Sequence, residues 1–477
     1  MNVIVIVSDT FRRDHLGCYG NEWIHTEHLD QLAAESLVFD RAYSASFPTV
    51  PNRADILTGR FTFTYFDWAP LPANEVVLAQ VLSAAGYTTM MVCDTPHILQ
   101  HGYNYSRGFT GFEWIRGQEN DHWRTSPREV TLPCAPHKLR SPDATVVQYL
   151  RNVATRRTEA DYFVARTMSA AMQWLEESAN QTPFFLYVDT FDPHEPWDPP
   201  KWYVDLYDPG YEGEEVIYPQ YAPCDYLSDE EMKHMRALYA GEVTLVDRWV
   251  GKLLQRVDDL GLRGDTTVFF TTDHGFYHGE HGLTGKSLIL GDAFGHVPLY
   301  EEVSHIPLIV RTPDGLAGKR ASAVVQPPDI MPTILELAGV SIPPTVQGRS
   351  FAPVLRGDRD DHRSLAVASP SITSAIGHRY STVVADEWAL ICRGEEAATG
   401  RISTTSAVDS VQRVEAAVLP GAGGPELYHL PSDPGQRSNV IQKHREVARS
   451  LHQRYLDFLS ELGTAKELVN RRRHLGV

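Results

Sequence analysis

Asn2-Val3-Ile4-Val5-Ile6-Val7-Ser8-Asp9-Thr10 is an unbroken apolar, β-branched run closed by hydroxyls and a carboxylate. A strand without polar alternation has no solvent face, so it belongs in a sheet covered on both sides, and such sheets are largely parallel. Further runs of this kind occur at Thr88 to Val92, Phe184 to Val188, Thr267 to Phe270 and Ile306 to Val310. Helical patterns lie between them. Glu27 to Phe39 places Leu29, Leu32, Ala33, Ser36 and Leu37 at helical spacing. Glu159 to Ser178 and Ser228 to Leu260 are longer, and Ser228 with Glu231 forms a capping-box pattern at the start of the second. Strands alternating with helices define an α/β domain.

Two stretches interrupt the alternation. Residues 115 to 147 are polar and hold Trp123, Pro127, Pro133 and Pro136, while 195 to 227 are rich in Pro, Tyr and Asp. They read either as long loops over a functional site or as plain surface insertions. Residues 358 to 364 are highly charged and read as a linker. Beyond it come strand-like runs at Leu365 to Ala368, Tyr380 to Ala385 and Trp388 to Cys392, a Gly-rich turn at 421 to 424 and a final helix from about 441 to 462. The organisation expected is therefore a large unit over 1 to 360 and a smaller α+β unit over 361 to 477.

The 477 residues can bury a large core, and a net charge of -18 argues against a nucleic-acid or anionic-membrane binder, which needs broad positive surface. A small anionic substrate needs only a local positive pocket. The run Val3 to Val7 lacks basic residues before it and a cleavage region after it, so it reads as a strand and not a secretory signal. No apolar run is long enough to span a bilayer. The five Cys are scattered, without CxxC spacing, as in a reducing cytoplasmic setting.

The chemistry concentrates in Ser46-Phe47-Pro48-Thr49-Val50-Pro51-Asn52-Arg53-Ala54-Asp55-Ile56-Leu57-Thr58-Gly59-Arg60. This stretch resembles the active-site signature of the sulfatase family: Cys or Ser, any residue, Pro, Ser, Arg, four residues, Thr-Gly. In that family the Cys or Ser is oxidised to formylglycine, the nucleophile towards sulfate esters. Here the position holds Thr49, and Thr49-Val50-Pro51-Asn52 also resembles the Thr-Phe-Pro-Asn nucleophile motif of nucleotide pyrophosphatase/phosphodiesterases. An unmodified hydroxyl held by a metal serves as nucleophile in those branches of the wider alkaline phosphatase superfamily. The alternative is that Thr49 is an engineered replacement of a Cys.

Open parallel sheets gather functional groups at the carboxyl ends of their strands. The first run ends in Ser8-Asp9-Thr10 and the run at 266 to 270 leads into Thr271-Thr272-Asp273-His274-Gly275. Asp9, Asp273 and His274 would then offer two carboxylates and an imidazole to one ion, with the Thr49 hydroxyl as a fourth ligand. Both segments resemble metal motifs of the sulfatase family. The family's first motif has an Asp-Asp pair where this chain has Asp9-Thr10, and calcium-type members often have Asn where this chain has His274. Fewer carboxylates and an added imidazole favour Zn²⁺ or Mn²⁺ over Ca²⁺, which stays an alternative. The phosphonate monoester hydrolase branch is similar in having one early Asp and a later Asp-His pair.

The resemblance implies further roles. Arg53, four residues after Thr49, and Lys286 in His281-Gly282-Leu283-Thr284-Gly285-Lys286 would stabilise the developing charge. His194 in Asp192-Pro193-His194-Glu195-Pro196 matches the family's Pro-His motif and would protonate the leaving alcohol. Asp94-Thr95-Pro96-His97 falls where many sulfatases carry Gly-Lys-Trp-His, so His97 matches and Thr95 replaces a lysine. Asn52 and Thr95 are expected beside the substrate. His278 and His281 with Asp189 or Asp192 suggest a second ion, but a single ion is the favoured reading. Glu426-Leu427-Tyr428-His429 resembles the family's C-terminal Glu-Leu-Tyr-Asp segment.

The fold implied is α/β and alkaline phosphatase-like, a large mixed sheet between helices with a smaller C-terminal α+β domain. The activity implied is metal-dependent hydrolysis of a small anionic ester, a phosphodiester or phosphonate monoester, through Thr49. A sulfuric ester hydrolase working without formylglycine and a catalytically weak binding protein of the same fold are the alternatives. Arg471-Arg472-Arg473-His474 reads as a solvated tail or, in a homo-oligomer, as an arm reaching a neighbouring subunit.

Overall fold

The computed structural model describes residues 1–127, 129–290, 293–373, 380–394 and 424–477. An eight-stranded mixed sheet forms its centre. Its order is Lys319–Val325, Leu37–Ala42, Leu308–Arg311, Thr266–Thr271, Asn2–Ser8, Phe184–Thr190, Thr88–Cys93 and Gly111–Trp114. The strands from Thr266–Thr271 to Gly111–Trp114 run parallel, with Asn2–Ser8 second among these five and buried along its whole length. Leu308–Arg311 runs antiparallel to both of its neighbours. Hydrophobic cores cover both faces, which is why the first strand needs no polar alternation.

One face carries the helices Phe163–Ser178 and Asp229–Asp259. Ser228 caps the latter: its hydroxyl accepts from Glu231 N at 3.2 Å, and the Glu231 carboxylate accepts from Ser228 N at 2.9 Å. The expected helix Glu27 to Phe39 is shorter. It ends at Ala34, and Leu37–Ala42 becomes a strand of the main sheet. Leu37-Val38-Phe39 suits a half-buried pleated surface, and that preference outweighs the helical spacing before it.

The smaller sheet has the order Glu426–His429, Trp388–Arg393, Tyr380–Ala385, Ala366–Pro370 and Ser46–Phe47. Its last strand comes from the N-terminal part of the chain and pairs in parallel with Ser369-Pro370. Gln326 strengthens this junction by donating to Ser44 O and Val367 O at 2.8 and 2.9 Å. The helix Arg445–Glu461 packs on the sheet.

Two expectations need correction, and a third gains detail. The charged stretch 358 to 364 is not a bare linker, because His362 and Arg363 reach the buried Asp329 and tie the two parts together. The tail does not simply project, because Arg472 is buried and its carbonyl accepts from His452 Nε2 at 2.7 Å. The insertions at 115 to 147 and 195 to 227 fold together, with Arg140 N donating to Tyr218 O at 2.9 Å. The Gly-rich stretch lies, apart from Gly424, outside the described residues. Among the described residues no helix is long and apolar enough to cross a membrane.

Candidate active site and metal centre

Three adjacent parallel strands deliver three carboxylates to one place. Asp9 follows Asn2–Ser8, and its N–H still donates to Thr190 O at 2.9 Å. Asp189 stands opposite Val7 in the next strand, and Asp273 follows Thr266–Thr271 on the other side. All three are fully buried. Thr10, a β-branched residue at φ +60°, turns the chain sharply after Asp9. Its N–H donates to Asp273 Oδ1 at 3.0 Å and its hydroxyl to Asp9 Oδ1 at 2.7 Å, so the turn aligns both carboxylates.

The helix Thr49–Thr58 enters above this group. Pro51 sits in its first turn, where a missing N–H costs little, and Gly59 closes it at φ +66°, donating to Asp55 O. Asp55 fixes the helix to the preceding strand by accepting from Ser46 N and Oγ and from Thr62 N and Oγ at 2.7–2.9 Å. Thr49, Asn52 and Arg53 then share one face. Thr49 is 1% exposed, and its hydroxyl makes no hydrogen bond among the described residues.

Arg53 does not present an open guanidinium to a substrate, as the sequence suggested. It is wholly buried, holds Asp189 in a fork at 3.1 and 3.0 Å, and reaches Asp9 Oδ2 at 2.9 Å and Asp273 Oδ2 through Nη1. Three carboxylates converge where two were expected, Asp189 joining Asp9 and Asp273, and they take every donor group. One guanidinium cannot balance three carboxylates. Burial and the charge of Asp273 push the Asp9 carboxyl well above its usual range. Burial also opposes ionisation of Asp273, but Arg53, His274 and Lys286 outweigh it and hold that carboxyl low.

The residues fit a divalent ion. Asp9, Asp273 and His274 each offer a ligand atom, and the three atoms lie within 4.8 Å of one another. Asp9 Oδ2 is buried without a properly oriented hydrogen bond, although the Arg53 charge lies beside it. His274 Nδ1–H donates to Gly275 O at 3.0 Å, which leaves the Nε2 lone pair facing inward, 3.3 Å from Asp273 Oδ2. Burial foremost, aided by Lys286 and Arg53, depresses this imidazole to about 3 and keeps it in the ligating neutral form.

Lys286 Nζ is 3.3 Å from His274 Nε2, 3.4 Å from Thr10 Oγ1 and 4.0 Å from Asp9 Oδ1. His194 is buried and stacked on Phe191 with ring centroids 4.0 Å apart. Burial, then the charge of Lys286, drives its pKa well below the usual value, and Arg140 adds to this. Its Nδ1–H donates to Glu195 O at 2.7 Å. The resting ring therefore has an acceptor at Nε2, and the expected proton donor is absent at neutral pH. His97 Nε2 pairs with Glu119 Oε2 at 2.8 Å, its ring between Trp68 and Phe191.

Asn52 and Thr95 lie deeper than expected, and neither is exposed. Asn52 donates to Ser44 Oγ at 3.2 Å and Asp273 O at 3.1 Å, and Thr95 donates to Asp189 Oδ1 at 2.6 Å. They support the carboxylate cluster from behind. Asp189, weighed only for a second ion, is the arginine's main partner. Its one sequence signal is its place at the end of a buried strand. His278 lies beside Arg12, His281 stacks on Tyr300, and Asp192 accepts from Gln118 and Val164 N.

Comparisons with known proteins identify the family and the fold. The sulfatase family model matches residues 1–340, and the chain belongs to that family and, with it, to the alkaline phosphatase superfamily. An arylsulfatase of Clostridium perfringens is 27% identical over 396 residues, covering 74% of this chain and 78% of that one. The uncharacterized sulfatase YidJ of Escherichia coli is 24% identical over 491 residues, covering 97% and 87%. The phosphonate monoester hydrolase of Agrobacterium radiobacter superposes with a TM-score of 0.71 at 19% identity, over 97% of this chain and 96% of that one. The protein is thus an ester hydrolase of the sulfatase family with the alkaline phosphatase-like fold.

Proposed function

We propose that the protein hydrolyses monoanionic esters with the unmodified Thr49 hydroxyl as nucleophile, phosphodiesters or phosphonate monoesters being the favoured substrates. The position of Thr49 carries this reading. It starts the helix whose next turn drops Arg53 into the carboxylate cluster, and its hydroxyl has no other partner among the described residues. Oxidation of a threonine side chain gives a ketone, not the aldehyde that sulfatases hydrate. Charge supports the substrate class. Asp9, Asp189 and Asp273 face two cations, Arg53 and Lys286, so one divalent ion leaves a single positive charge, which matches a monoanionic ester better than a dianionic phosphomonoester.

Asp9, Asp273 and His274 would hold that ion, with Zn²⁺ or Mn²⁺ favoured by the imidazole. When bound, it supplies Lewis acidity that lowers the pKa of a nearby hydroxyl. Thr49 Oγ forms a bond to phosphorus as the ester alcohol departs in line, and the proton lost by Thr49 balances the one the alcohol gains. His194 Nε2, which feels the charge of Lys286, would accept a proton, and the Lys286 ammonium would donate one. Water then cleaves the phospho-threonine and restores the hydroxyl. The unpaired cysteines support a reducing, cytoplasmic setting.

A second reading, sulfuric ester hydrolysis at the same residues, is favoured by the arylsulfatase relative. Matched aryl phosphodiester, phosphonate monoester and sulfate substrates, assayed with defined metals, separate the two. Higher kcat/KM for the sulfate would overturn the phosphorus preference. Loss of all three activities with metal still bound would favour a binding role.

A further inference from the structure

Arg140 lies in the first insertion and was not singled out by its sequence. Its guanidinium is held between two tyrosine rings of the second insertion, 4.1 Å from the Tyr218 centroid and 4.2 Å from that of Tyr221. Its Nη2 donates to Glu195 Oε1 at 2.8 Å and to Glu119 Oε1 at 3.4 Å. The tyrosines serve the same acids: Tyr218 OH donates to Glu119 Oε1 and Tyr221 OH to Glu195 Oε1, each at 2.5 Å.

Each spoke of this group ends on a candidate site residue. Glu119 holds His97 through Oε2. Glu195 accepts from His194 Nδ1 through its carbonyl, and its Oε2 lies 3.2 Å from that nitrogen. Tyr221 backs Gly285 so closely that a Cβ there would come within 2.6 Å of its ring, and Lys286 is the next residue. The segment beside Tyr221 is laddered to the same strand, Thr284 opposite Ala222. Glu119, at φ +42°, is buried in a backbone conformation that a residue other than glycine rarely adopts.

We propose that Arg140 is a positioning residue that sets His97, His194 and Lys286 together, through Glu119, Glu195 and Tyr221. This rests on the reading of those three as site residues. A neutral core of the same size would fill the space. A cation shared by two acids, each carrying a different histidine, instead fixes their relative placement. The groups facing His194 are Lys286, Glu195, Arg140 and His97, with Phe191 stacked on its ring.

The test uses the metal-loaded protein with the best ester of the panel. Arg140→Gln is expected to lower kcat about 100-fold with KM changed less than threefold, and Arg140→Lys to restore part of the loss. Removing the Arg140 charge also raises the pKa of His194, so the acid limb of kcat/KM moves to higher pH. Tyr221→Phe, a milder change, is expected to cost about tenfold in kcat and to add little in the Arg140→Gln background. If Arg140→Gln fails to fold, Tyr221→Phe and Glu119→Gln carry the test. Unchanged kcat and pH profile in the folded variants, or full additivity of Tyr221→Phe with Arg140→Gln, would overturn the proposal. Full activity of Thr49→Ala would instead overturn the assignment of the nucleophile, so the two failures are distinct.

Discussion

Two arginines organise the site in opposite ways. Arg53 sits among Asp9, Asp189 and Asp273, all on strand ends of the central sheet. Arg140 sits between Glu119 and Glu195 on two insertions, with two tyrosine hydroxyls sharing the load. Acids outnumber the guanidinium in both. Around Arg140 the excess is relieved by hydroxyl donors and by His97. Around Arg53 one carboxyl, Asp9, is driven towards protonation. A buried place short of positive charge is where a metal ion gains most, so the contrast marks one cluster for chemistry and the other for support.

The largest expected effect is at the shortest side chain. Thr49→Ala should reduce turnover by about 10³-fold or more while metal content, read by elemental analysis, stays near wild type. If turnover survives, the Arg53 cluster is not organised around this hydroxyl. Metal removal should follow in size. Chelation is expected to abolish turnover and to lower the Tm, because an ion bound only by the folded state stabilises it by about 3 kcal/mol at a hundredfold excess over Kd. An unchanged Tm would show that the three-ligand cluster does not hold the ion.

In the metal-free protein the two clusters should respond to pH with opposite signs. Asp9 is raised on folding, so its contribution is present below 3.8 and lost as pH rises. Burial works against the Glu119 carboxylate, but His97 and Arg140 outweigh it and lower it to about 2. Its contribution is present above 4.5 and lost as pH falls through 2, worth roughly 3 kcal/mol at neutral pH. Asp9→Asn should therefore raise the apo Tm at pH 7 with a gain that fades towards pH 4. Glu119→Gln should lower the Tm at pH 7 with a loss that shrinks towards pH 3. Shifts of the same sign in both variants would remove the distinction between the clusters.

The sequence reveals the first cluster better than the second, for a physical reason. Continuous apolar strands fix where their carboxyl ends fall, so the sequence itself brings Asp9, Asp273 and His274 together. Asp189 was harder because the apolar run stops at Val188 while the ladder continues to Thr190. Arg53 was legible as a cation near Thr49, but the number of carboxylates waiting for it depended on strand order. Nothing local marks Arg140, whose partners lie 21, 55, 78 and 81 positions away. In the same way, charge made 358 to 364 look like a linker, because pairing of His362 and Arg363 with Asp329 is a property of the folded chain.

The smallest expected effect lies at the rim of the second cluster. Trp68 is 39% exposed and sets its ring edge-on to His97, with centroids 5.2 Å apart. Its ring meets the outer side of His97, so it should contribute binding surface and not alignment. An aromatic contact of this kind is worth about 0.5–1.5 kcal/mol, so Trp68→Ala should raise KM about two- to tenfold with kcat retained. Arg140→Gln is expected to do the reverse, losing kcat at nearly constant KM. If Trp68→Ala instead lowers kcat, the alignment of His97 depends on its neighbouring ring as well as on Glu119, and the positioning role extends to the surface.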